Sequence, residues 1–369
     1  MTVKFQNQKL ATTRTRPDEF KYPIGLNDGR PEINAIVNVI GTPAITVSPA
    51  TNKVIPGANG NVVIMLNTSG SFTIEDGMGS PSGIPGSMLI VAGGGASQPN
   101  YGPGPYGGAP SAGAGGLNHV TGLSFIPGTQ YTFQIGAGGS VAGNQSAASH
   151  SGHPSNTSIN GTPYDMTGGG GGGNDRTGPS GYGAPGGSGG GAGSTGVPGQ
   201  GFPGYPTNPT AFTAGGTRIG GAGAGGTGGG FRGGMGKFFN ISGEIVGYAG
   251  GGGGHAGPGH PPTTGGNQDA SVDHDYNHYA DYMPAPYIHP QHPMPLGNSP
   301  GNQLCGGGTN APRNGGGGGA GTINRGGGAG SCFGFAVAYG GTGGSGVAII
   351  ELDTVNYSGP RNQGPSFGL

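Results

Sequence analysis

Six consecutive glycines, Gly168 to Gly173, sit inside the stretch "DMTGGGGGGNDRTG". Glycine loses more backbone freedom on folding than any other residue and has no side chain to bury. Such a run is either a linker or part of something that needs glycine at successive positions. The rest of the chain repeats the feature, with 95 glycines and 33 prolines among 369 residues. That composition is where low-complexity character becomes the first expectation. Disordered chains are, however, rich in charge, and only 8% of these residues are charged. The glycines therefore read as ordered.

Two glycine architectures are open to an ordered chain. Collagen demands glycine at every third position over a long run, and tracts such as "GGSGGGAGSTG" and "GGAGAGGTGGG" keep no such phase. The other is the left-handed extended helix of three residues per turn, which has no internal hydrogen bonds. Packed side by side, such helices can exchange N–H and C=O bonds with neighbours and satisfy the backbone. Close packing leaves no room for a Cβ on interior faces. Gly170 accordingly reads as interior, and serines such as Ser188 as rim positions.

The strand signals lie between and around these tracts. "INAIVNVIG", "AITVS", "NVVIML" and "SFTI" are β-type runs broken by Gly, Pro and Asn. "LSFIPGTQYTFQIGAGG", "GKFFNISGEIVGYAGG", "CFGFAVAYGG" and the closing "GGSGVAIIEL" follow. A helix through the tracts would lose about 1 kcal/mol per glycine relative to alanine. The expected fold is all-β with no significant α-helix. The expected organisation is an N-terminal docking arm (1–30), a small β region (31–75), a glycine-rich domain (76–351) and a C-terminal tail (352–369). An insertion rich in His, Tyr and Pro (255–300) interrupts the third part.

Charge and hydropathy exclude several classes. Fourteen basic against fifteen acidic residues leave no cationic footprint for nucleic acid. No apolar run approaches the roughly 18 residues of a membrane helix, and residues 1–20 lack the apolar core of a secretory signal. Cys305 and Cys332 could close one loop, but one pair defines no disulfide framework. Strings of the form G-x-G-x-x-G carry no information in a chain that is a quarter glycine, and no helix follows them. Glu75, Asp76, Asp165 and Asp175 are scattered carboxylates, and Asp18 and Glu19 beside Arg14 and Arg16 read as a solvated arm. No catalytic residue, cofactor or metal is expected.

The insertion is the segment richest in chemistry. Six of the nine histidines fall between His255 and His292, and four of the fourteen tyrosines between Tyr276 and Tyr287. Asp273, His274, Asp275, His278 and Asp281 offer imidazole and carboxylate ligands, but the Pro- and Gly-flanked context lacks the zinc-protease pattern. Tyrosine supplies large contact area at low entropic cost, as binding loops require. His274, Tyr276, His278, Tyr279, Tyr282 and Tyr287 are the candidate receptor-contacting residues. The bland alternative is a structured insertion that packs Tyr and Pro against the glycine body or a neighbouring subunit.

In their order, "SFTIEDG…GSMLIVAGGGA", "GAGGL", "IPGTQYTFQIGAGG", "TPYDMTGGGGGG" and "GGTGGSGVAIIEL" resemble the glycine-rich domain of bacteriophage tail-fibre and adhesin-type virion proteins. A related module occurs in the extracellular parts of some animal receptor tyrosine kinases. The resemblance covers about 70–351. It implies a β-sandwich-like framework from which a bundle of polyglycine type II helices emerges, with receptor contacts in the loops at the far end. The upstream β region and the long insertion depart from that adhesin pattern. The implied function is a structural virion protein on an external appendage, a homotrimer joined to other virion proteins through its N-terminal arm. Its outer partners would be a host surface polysaccharide or outer-membrane protein, without nucleic acid or membrane insertion. A capsid decoration or head fibre, and a cellular extracellular filament or matrix protein, are the alternatives.

Overall fold

A computed structural model describes 44–57, 60–75, 83–98, 108–109, 111–141, 158–159, 164–172, 183, 185–191, 196–203, 220–227, 233–243, 246–254, 305–308, 318–333 and 340–354. Thirteen strands occur there and no α-helix. They are β1 (Ile45–Ser48), β2 (Lys53–Pro56), β3 (Val62–Leu66), β4 (Gly70–Ile74), β5 (Ile84–Val91), β6 (Gly108–Ala109) and β7 (Leu117–Phe125). After them come β8 (Gln130–Gln134), β9 (Ser158–Ile159), β10 (Lys237–Phe239), β11 (Val246–Tyr248), β12 (Cys332–Phe333) and β13 (Val347–Leu352). The fold is all-β, and every strand pairing is antiparallel.

Two sheets form the framework, in orders β1-β4-β8-β9 and β2-β3-β13-β5-β7. β13 is last in the chain yet lies between β3 and β5, with Ile350 opposite both Ile64 and Met88. The early strands 45–74 thus share both sheets with strands of the glycine-rich region.

Period-2 alternation sends the residues of one strand to opposite faces. On β13, Ala348, Ile350 and Leu352 join a hydrophobic cluster with Ile45, Phe72, Ile74 and Phe133 of the four-stranded sheet. Val347 and Ile349 enter a second cluster with Val63, Leu89, Val91, Ile241 and Tyr248. The five-stranded sheet is therefore covered on both sides, which is why "VAIIEL" and "MLIV" read as unbroken apolar runs instead of alternating ones. Phe72 anchors the first cluster by stacking on Tyr131 at 5.0 Å and Phe133 at 5.9 Å.

The glycine tracts leave the sheets as irregular backbone bonded sideways to other tracts. The run Ser111–Gly116 displays the rule. Its amides at Ala112 and Gly115 donate to Ala329 and Gly326, and those at Gly113 and Gly116 donate to Gly170 and Thr167. Ala114 donates to Ala222. Its carbonyls at Ser111 and Ala114 accept from Gly191 and Ser188, and those at Gly113 and Gly116 from Gly95 and Ala92, while Ala112 accepts from Gly252. Positions three apart bond the same neighbour, and six different segments surround the run. The segment Ala92–Gln98 repeats the period: Ala92 and Gly95 donate to 111–116, and Gly94 and Ser97 to 340–346.

Close approach explains the glycines. A Cβ on Gly113 would lie 2.2 Å from the Ser188 carbonyl oxygen, and one on Gly252 would lie 1.8 Å from that of Ala329. The requirement belongs to particular faces, however. Ala92, Ala112, Ala114 and Ala329 are fully buried in the same array. Ser188, expected at the rim, is also fully buried. An interior position whose Cβ falls between neighbouring backbones takes Ala or Ser, so the interior is not glycine alone.

Candidate functional site

Two features of the described residues have the makings of function: the end of the glycine array remote from the sheets, and a cleft beside β7. The array has direction. Ala92–Gln98 follows β5 and Ala249–Gly254 follows β11, whereas Ser111–Gly116 leads into β7 and Gly340–Gly346 into β13. Near the sheets, Gly116 bonds Thr167 and Ala92, and Gly115 bonds Gly326. At the remote end, Ser97 donates to Gly341, Gly191 to Ser111 and Ser331 to Gly253.

Serine marks this remote layer. Ser97 Oγ accepts from the Gly341 amide and Ser111 Oγ from the Gly221 amide, each at 2.7 Å. A short side chain there substitutes for a backbone carbonyl. Residues 99–107, 309–317 and 334–339 lie outside the described residues. So do His274, Tyr276, His278, Tyr279, Tyr282 and Tyr287, and the acidic candidates Asp273, Asp275 and Asp281. The array brings one flank of their insertion to the remote layer, since Gly253 bonds Gly308 and Ser331 just before it.

The docking arm 1–30 and the tail beyond Thr354 also lie outside the described residues. Among those residues, no group of His, Cys, Asp and Glu is placed to hold a metal ion, and no helix is long and apolar enough to cross a membrane. Cys305 is a buried free thiol, and burial raises its pKa to about 12 against weaker opposing effects of the Gly236 backbone and Arg325.

The cleft has a volume of about 330 Å³ and is lined by Leu117, Asn118, His119, Gly199, Lys237, Phe238 and Phe239. Among the described residues, β7 is an edge strand paired only with β5, and β10 pairs only with β11. The hairpin β10–β11 covers the second cluster, and Phe239 meets His119 edge-on with centroids 5.2 Å apart. Partial burial lowers the pKa of His119, partly countered by the Glu351 carboxylate, which accepts a hydrogen bond from Asn61. Burial also lowers that of Lys237. Sequence reasoning missed this site. Nothing local joins "LNH" at 117–119 to "KFF" at 237–239, and only the packing of β10 beside β7 brings them together.

No family model matches this chain, and no curated protein matches it significantly.

Proposed function

We propose that the chain is a structural virion protein, a component of a phage tail fibre or related external appendage. In this reading the two sheets are the halves of a β-sandwich-like framework. The glycine tracts form a bundle of polyglycine type II helices projecting from it. The observation that carries the reading is the three-residue period of the bonds around 111–116, shared among six neighbours. A left-handed helix of three residues per turn has that repeat and no internal bonds of its own.

The mechanical role follows from the bonding. Each run is held sideways by several others, so the bundle resists bending without a large apolar core. The remote end displays the joining segments, with the 255–300 insertion as the host-contacting element. The N-terminal arm docks the protein to other virion proteins, and three copies assemble into the appendage.

Immunoelectron microscopy of source particles with an antibody against residues 268–295 tests this. The expected result is label at the far end of a tail appendage. Label on the head, or only after particle disruption, would replace the adhesive role with that of a decoration or joint.

A further inference from the structure

The cleft between β7 and β10 supports an inference that does not depend on the virion reading. Alternation puts Lys237 and Phe239 on one face of β10 and Leu117 and His119 on one face of β7. The cleft volume of about 330 Å³ is at the small end of ligand sites. An apolar wall, an imidazole and a cation therefore border a space suited to one or two small rings.

Among the described residues the charge is unmatched. Lys237 is half-buried and forms no ion pair with any described residue. The carboxylate nearest in effect, Glu351, acts on His119 and is engaged by Asn61. A partly desolvated ammonium makes its strongest hydrogen bonds to an ionised acceptor, a carboxylate or a phosphate. One lysine is a point charge without the fork that binds phosphate in two-pronged fashion, which suits a single carboxylate. Aromatic rings have an apolar body for the C–H face of a sugar.

We propose that this cleft is a subsite for an acidic saccharide, a hexuronate unit of a glycan. Its carboxylate pairs with Lys237 and its ring rests against Phe239 and His119. Nothing is bonded covalently or cleaved.

The test is titration of the full chain with a galacturonate tetramer, a matching neutral galactose tetramer and free acetate, followed by the NMR signals of His119 and Phe239. The acidic tetramer is expected to shift both, with affinity about tenfold above that of the neutral tetramer. Lys237→Gln is expected to remove that advantage and Lys237→Arg to keep part of it. In the unaltered protein, the pKa of Lys237 rises when the acidic tetramer binds, a readout independent of whether the variants fold. Equal response to the neutral tetramer, equal affinity for acetate, or unmoved His119 and Phe239 signals would overturn the proposal.

Discussion

The Gly113 amide donates to the Gly170 carbonyl at 2.8 Å, joining two glycines from distant parts of the chain. A methyl at Gly113 would collide with the Ser188 carbonyl oxygen at 2.2 Å. The obstacle is backbone, so nothing can rotate aside. Gly113→Ala should destabilise the protein by about 3 kcal/mol or prevent folding. Gly226→Ala is the control, because among the described residues nothing beyond its chain neighbours lies within 4 Å of where its Cβ would sit. It should be neutral or stabilising by up to about 1 kcal/mol. Urea unfolding of the two variants decides the matter, and equal stabilities would refute close packing.

Ser188 and Ser331 have buried hydroxyls without a hydrogen-bond partner among the described residues. Alanine keeps the Cβ and removes the unmet polar atom. Ser188→Ala and Ser331→Ala should each raise stability by about 1 kcal/mol. The check is a higher urea midpoint with an unchanged slope.

Asn52 is buried in the link between β1 and β2. Its side-chain oxygen accepts from the Asn67 and Thr68 amides at 2.9 and 3.1 Å, and its amide donates to the Ser48 carbonyl at 3.1 Å. Asn52→Ala leaves those backbone groups unmet and should cost about 2–3 kcal/mol. Asn52→Asp should recover part of the loss, because the carboxylate still accepts from both amides. Thermal unfolding of the three proteins orders them.

Cys305 titrates in the wrong range for reactivity. Burial holds its thiol near 12, above the ordinary 9.0. A raised acid pKa means that the native state holds the proton more tightly than the unfolded chain. The stabilising contribution is complete below pH 9 and is lost as pH rises towards 12. The native thiol should resist a thiol-specific reagent at pH 8 and react promptly in denaturant. Rapid labelling of the native protein would contradict its burial.

Much of the framework was legible. "AITVS", "NVVIML" and "GVAIIEL" contain β1, β3 and β13, and "SFTI" is all of β4 but its first residue, because β-branched residues between Gly, Pro and Asn leave few alternatives. The partners of β13 were not legible, since its pairing with Val62–Leu66 spans almost the whole chain. The burial of Ser188 was hidden for a related reason. Whether a Cβ fits depends on the face it occupies among six neighbours, and residue type cannot report that face. His119 and Lys237 were silent because each is ordinary in its own strand.

The array buries peptide groups far more than hydrocarbon. Exposing polar surface on unfolding lowers the heat capacity, whereas exposing apolar surface raises it. The heat-capacity increment per residue should therefore fall below the usual value of about 12–15 cal/mol/K. A shallow curvature of free energy against temperature follows, so the protein loses little stability on cooling.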